Sequence, residues 1–142
     1  MRRILSLSLA LAILLVAGTA SADITIYKGG SRWATIESDG DVYIGGSRKG
    51  KIERDGDVYV GGSRKGKVES DGDIYDGGSR VGKVESDGDV YHRGSRIGKI
   101  ERDGDIYRGG SRWGQAQSCC SGSTSMQQVA AVLFFFGADF LR

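Results

Sequence analysis

The chain has 142 residues, room for one small domain, with 24 glycines and no proline. Glycine is roughly 7% of ordinary sequences, and its excess without proline excludes Pro/Gly-rich disordered filler; the glycines must mark turns. The net charge of +2 counts Arg2 and Arg3, and the chain without them is formally neutral, which argues against nucleic acid or another bulk polyanion as partner.

The first 22 residues read as a secretory signal peptide. Arg2 and Arg3 supply the positive start, Ile4 to Ala17 is apolar or small apart from Ser6 and Ser8, and Ala20-Ser21-Ala22 is a small-x-small cleavage site. The mature chain is expected to begin at Asp23. The apolar run is short for a spanning helix of about 20 residues, and no cysteine follows it to carry a lipid. The signal has bacterial character, so the protein is expected to be exported, to the periplasm or beyond the cell.

From Tyr27 onward a period of 16 residues runs without an insertion, through Tyr43, Tyr59, Tyr75, Tyr91 and Tyr107. A tandem repeat this short cannot bury an apolar face alone and must pack on its neighbours. Each unit carries two turn signals. One is Asp-Gly, as at Asp55-Gly56, a strong hairpin signal because glycine accepts φ > 0. The other is Gly-Gly-Ser, as at Gly61-Gly62-Ser63, with Arg93 replacing the first glycine in one copy. The intervening runs, such as Arg48 to Glu53 and Asp57 to Val60, fit short antiparallel strands.

The array has six Gly-Gly-Ser-type turns and five Asp-Gly turns. Ile24-Thr25-Ile26-Tyr27 matches the second strand of a unit, and Arg112 to Gln117 matches a first strand. Paired, the two ends complete a sixth unit that lacks only its Asp-Gly turn and leaves no exposed sheet edge. The expectation is an all-β, closed, shallow, up-and-down barrel of about twelve short antiparallel strands; ten strands with loose ends is the alternative. A three-residue loop around Asp-Gly pairs Ile52 with Val58 and gathers the valines and isoleucines on one face, with lysine, glutamate and tyrosine on the other. Gly50, Gly66, Gly82 and Gly98 then face inward and leave space.

A barrel of twelve strands has a backbone radius of roughly 12 Å, too wide for small aliphatics to fill. Residues 118–125 read as a flexible linker, and residues 126–142 as a helix that is apolar all round from Val129 to Phe136, the pattern of a buried helix. Such a helix is about 10–12 Å across, so it is expected in or against the barrel; a membrane-inserting tail is the competing reading. The repeat strands have about half the 9–11 residues needed to cross a bilayer, so a single-chain outer-membrane pore is excluded.

The pattern Gly-Ser-Arg-x-Gly-Lys-[Ile/Val]-Glu-x-Asp-Gly-Asp-[Ile/Val]-Tyr, behind a signal peptide and before an apolar tail, resembles the β-flower proteins over Ile24 to Gln117. That resemblance implies a small symmetrical barrel of short hairpins. The β-flower architecture is in turn similar to Tubby C-terminal and phospholipid scramblase domains, in which twelve strands wrap a hydrophobic helix and which act at lipid membranes. Likeness of architecture alone carries little about function.

A symmetric set of arginines, Arg32, Arg48, Arg64, Arg80, Arg96 and Arg112, is a candidate rim for anions or phosphate headgroups; simple solvation or pairing with carboxylates is the plainer role. Asp-Gly-Asp invites calcium, but calcium takes six to eight oxygens at one point and Asp-Gly is explained by its turn, so no metal is expected. Recurrent Lys-x-Glu pairs suit a solvated outer face. The tyrosines with Trp33 and Trp113 form a candidate aromatic stripe for glycans or lipid interfaces. Adjacent Cys119 and Cys120 rarely pair with each other; an intermolecular disulfide and an unlinked or strained pair both stay open. His92 is alone at a variable position, and no serine–histidine–acid set, zinc spacing or phosphate loop occurs. No enzyme activity and no cofactor are expected. The readings are an interaction module of the cell envelope, with a homo-oligomer among its open forms; a membrane-surface or lipid binder; and a small-ligand or glycan binder.

Overall fold

A computed structural model describes residues 22–142. The expected signal segment, residues 1–22, therefore lies outside the described residues except for Ala22. Strand β1 (Ile24–Lys28) leads into five hairpin units: β2 (Ser31–Ile36) with β3 (Asp41–Ile44), β4 (Ser47–Ile52) with β5 (Asp57–Val60), and β6 (Ser63–Val68) with β7 (Asp73–Asp76). The last two are β8 (Ser79–Val84) with β9 (Asp89–His92), and β10 (Ser95–Ile100) with β11 (Asp105–Arg108). Strand β12 (Ser111–Gln117) ends the array, and helices α1 (Ser123–Phe136) and α2 (Ala138–Leu141) follow.

Every strand pairs antiparallel with its chain neighbours, and β1 pairs with β12, so the sheet is a closed twelve-strand barrel. The closing register repeats that of a complete unit. Lys28, Tyr27 and Ile26 oppose Gly114, Gln115 and Ala116, just as Val60, Tyr59 and Val58 oppose Gly50, Lys51 and Ile52. The two chain ends thus form a sixth hairpin without its turn, and no unpaired edge remains.

Both turns follow from glycine. At Asp-Gly, the Gly56 amide donates to the Glu53 carbonyl (3.0 Å) and the Glu53 amide to the Asp57 carbonyl (2.8 Å). Gly56 has φ +93, the left-handed residue that ends a three-residue hairpin loop. The Asp55 carboxylate accepts the Asp57 amide at 3.0 Å and fastens the turn from inside. At Gly45-Gly46, both residues have positive φ, +58 and +84, the two-residue turn whose twist matches the strands. Arg93 takes this conformation with φ +51. A left-handed non-glycine residue costs roughly 1–2 kcal/mol, offset in part by the unfolded-state entropy that glycine adds, about 0.5–1 kcal/mol. Arg93→Gly is therefore expected to stabilise the protein by about 0.5–1 kcal/mol, read as a higher midpoint in urea unfolding; an unchanged or lower midpoint contradicts it.

The register places Ile36, Val42, Ile52, Val58 and their equivalents through Ile106 on the inner face, all buried. Helix α1 occupies the bore. Val129 to Phe134 are buried around its whole circumference, and so is Phe140 of α2. The helix enters at the Asp-Gly mouth, where the Gln127 side-chain amide donates to the Ser70 carbonyl at 3.1 Å. It leaves at the Gly-Gly mouth, where Arg108 donates to the carbonyls of Phe140 (2.6 Å) and Arg142 (2.5 Å). Its positive N-terminal end thus faces the acidic mouth.

The inward glycines leave room for phenylalanine rings. A β-carbon added at Gly82 would lie 2.5 Å from Phe134, at Gly66 2.6 Å from Phe135, at Gly50 2.8 Å from Phe136, and at Gly98 3.3 Å from Phe140. The helix begins at Ser123, ahead of the expected start at Met126. Ser123, Thr124 and Ser125 are polar enough for the expected linker, but they form the first turn, exposed at Ser123 and Thr124, before the chain enters the bore. Cys119 and Cys120 are disulfide-bonded to each other. Cys120 is fully buried, and its amide donates to the Arg102 carbonyl at 3.2 Å. It is therefore out of reach of a neighbouring molecule.

Candidate functional surface

With the bore filled by the chain itself, chemistry is left to the two mouths and the outer wall. Strand alternation puts Asp57, Tyr59, Lys67 and Glu69 on the wall, because Val58, Gly66 and Val68 face in. One irregularity recurs in every unit. Tyr59 opposes Arg64, but Val58 opposes Gly66, so Lys65 is an extra residue in a β-bulge. The bulge decides where two sets of side chains go.

It turns the arginines along the wall toward the Asp-Gly end. Arg48 Nη2 lies 3.0 Å from Asp41 Oδ1, and Arg64, Arg80 and Arg96 repeat this at 3.0 Å with Asp57, Asp73 and Asp89. Arg112 lies 3.1 Å from Asp105. Hydrogen bonding to the aspartate first, and its charge second, raise the pKa of Arg48, Arg64 and Arg96. Arg32 has no such partner among the described residues, because Thr25 stands in the aspartate's place. The six arginines thus lie on the wall, and five already hold a carboxylate; an incoming phosphate would have to displace it.

The bulge also sends the extra residue of each unit, Trp33, Lys49, Lys65, Val81, Ile97 or Trp113, to the Gly-Gly mouth. Trp33 and Trp113 meet edge to face at 5.5 Å, and Trp113 meets Phe140 in the same way at 5.5 Å. Lys28 Nζ lies 5.2 Å from the Trp113 ring centre and is ion-paired with Asp139. The expected single aromatic stripe is therefore two features: tyrosines on the wall and tryptophans capping the helix at one mouth.

The residues after the tyrosines, Lys28, Ile44, Val60, Asp76, His92 and Arg108, share this mouth and differ in every unit. They fit an asymmetric helix to a symmetric barrel. His92 packs edge to face on Phe134 at 5.7 Å. Burial first, then the charges of Arg93 and Arg108, lower its pKa. A folded-state pKa below the unfolded value of about 6.5 gives stability that is complete above that pH and is lost as pH falls through it toward the folded pKa. His92→Phe is expected to flatten this part of the stability profile; equal pH dependence in the variant contradicts the assignment.

At the acidic mouth, Glu53, Asp55 and Asp57 bring carboxylate oxygens within 4.8 Å of one another, as do the corresponding trios of the next three units. Asp55 is engaged by the turn amide and Asp57 by Arg64, so the trios are accounted for by the hairpin itself.

The outer wall carries a repeated shallow groove that sequence reasoning did not assemble. One instance is lined by Arg96, Lys99, Glu101, Tyr107 and the Gly109-Gly110 turn, and another by Arg80, Lys83, Glu85, Tyr91 and Gly94. The β2–β3 wall repeats it with Arg32, Thr35, Glu37 and Tyr43, and the closing seam with Arg112, Gln115, Gln117 and Tyr27. Their volumes run from about 280 to 530 Å³. Among the described residues, Lys99 and Glu101 make no side-chain hydrogen bond or ion pair. The signal for these grooves was present as Lys-x-Glu beside tyrosine, but only the register Lys99 opposite Tyr107 joins them. Compared with known protein families, curated proteins and solved structures, the chain shows no match.

Proposed function

We infer that this is an exported, non-enzymatic interaction module of the cell envelope, of the β-flower kind, that acts through its outer surface. One observation carries the reading: the interior is filled by the chain's own helix, while the wall presents the same polar and aromatic groups around the ring. A repeated surface on a rigid core suits contact with an extended or repeating partner. The absence of a serine–histidine–acid set from the sequence and the lone, mouth-capping role of His92 support a non-catalytic role.

A membrane-surface reading has its own support in the Gly-Gly mouth, where half-buried Trp33, Trp113 and Leu141 sit beside Lys28, Lys49 and Lys65. Aromatic rings with flanking cations are the chemistry of the lipid interface. Incubating the purified protein with isolated envelope material, with anionic and neutral phospholipid vesicles, and with itself at rising concentration separates the readings. Saturable retention on envelope material with no vesicle flotation is the expected result. Flotation with anionic vesicles alone favours the membrane reading, and no association in any arm overturns the interaction reading.

A further inference from the structure

We propose that the outer-wall grooves are repeated binding sites for a neutral polysaccharide. This rests on the reading of the wall as the working surface and names the partner. The argument begins with what the units have and have not kept. At the position after tyrosine, six units carry six different residues, so the copies have had freedom to diverge. Burial explains why the inner valines and isoleucines stayed fixed, and φ > 0 explains the turn glycines. Neither explains the outward tyrosine, which is identical in all six units, or the outward glutamate, present in five and replaced by Gln117 in the sixth. These side chains lie half-buried on the wall, outside the core and the turns; such positions are freer to vary than the core, and these have not.

The groove chemistry suits sugar hydroxyls. Tyr107 supplies an aromatic surface for the C–H face of a pyranose and a phenol for hydrogen bonding. Glu101 supplies two acceptor oxygens and Lys99 three donors, none engaged with other described side chains. Arg96, held by Asp89 at 3.0 Å, keeps further N–H donors on its exposed guanidinium. The charges balance: Lys99 against Glu101, Arg96 against Asp89. A balanced groove rich in donors and acceptors favours an uncharged, hydroxyl-bearing ligand over a polyanion. At Gln115 and Gln117, the seam keeps the hydrogen-bonding capacity and drops both charges together, as a neutral ligand permits. Successive grooves are two strands apart, about 10 Å along the wall, a spacing that lets one chain of sugars engage several weak sites at once.

The test is retention of the full mature protein on insoluble neutral polysaccharides (chitin, cellulose and mannan) and on pectate as an acidic control. Salt of about 1 M, where screening acts within roughly 3 Å, distinguishes ion exchange from hydrogen bonding. Binding to at least one neutral polysaccharide that survives salt is expected. Replacing Tyr43, Tyr75 and Tyr107 by Ala is expected to weaken it by about tenfold or more, since grooves act together. Glu53→Ala with Glu85→Ala and Glu101→Ala provides a second variant that leaves core and turn glycines intact, and it should lose binding while keeping its unfolding midpoint. No retention on any neutral polysaccharide, retention on pectate alone that salt abolishes, or full binding by the glutamate-to-alanine variant overturns the proposal. Retention on vesicles or self-association without sugar binding also overturns it but leaves the interaction reading standing.

Discussion

A chain ending at Ser118 is expected not to form the barrel. The truncation removes Met126, Val129, Val132, Leu133, Phe134 and Phe140, all buried. Burial of each large apolar side chain contributes roughly 1.5–3 kcal/mol, so together they match or exceed the 5–15 kcal/mol by which domains are stable. What remains facing the bore is a ring of valine, isoleucine and glycine around a space too wide for them to close. The truncated chain should show no cooperative thermal transition and should bind a dye for exposed apolar surface. A cooperative transition at the full-length midpoint contradicts this, because it would mean that the strands stabilise themselves.

The second large effect is expected at the inward glycines. At Gly66 an added β-carbon meets the Phe135 ring at 2.6 Å and also collides with the Tyr75 carbonyl. Gly66→Val should therefore destabilise the protein by about 2–3 kcal/mol, the upper part of the range for overpacking. Phe135→Ala in the same molecule should restore part of the loss, since it removes the ring but not the carbonyl. A double-mutant cycle measures the coupling. Strict additivity of the two substitutions would show that glycine and ring do not meet.

Much of this architecture is legible in the sequence because its signals are local or countable. The spacing of Asp-Gly and Gly-Gly fixes the strands, and the unequal number of turns fixes the closure of β1 on β12. The register follows from separating Ile52 and Val58 from Lys51 and Tyr59. An apolar helix with no polar face has few places to go outside a membrane, and a bore of about its own diameter is one. Details that depend on three-dimensional fit are not legible. Lys-Gly at Lys65-Gly66 does not announce a bulge, yet the bulge alone aims Arg64 at Asp57 and sends Trp33 and Trp113 to the mouth. The candidate arginine rim is, for that reason, a wall of arginine–aspartate pairs, the plainer of its two roles. The pairing of Gly50, Gly66 and Gly82 with three consecutive phenylalanines depends on the rotation and depth of α1, which no periodicity encodes. The outer grooves arise from residues eight positions apart on neighbouring strands, so they exist only once the register does.

The central claim, that the C-terminal helix is the core of the barrel, is tested most directly by proton–proton contacts in solution. Nuclear Overhauser effects between the α-protons of Gly50, Gly66 and Gly82 and the rings of Phe136, Phe135 and Phe134 are predicted, with those α-protons shifted by the ring currents. Amides of Val129 to Leu133 should exchange with solvent as slowly as those of the strands, since both open only on global unfolding. Absence of these contacts, with helix amides exchanging rapidly while strand amides stay protected, would contradict the account.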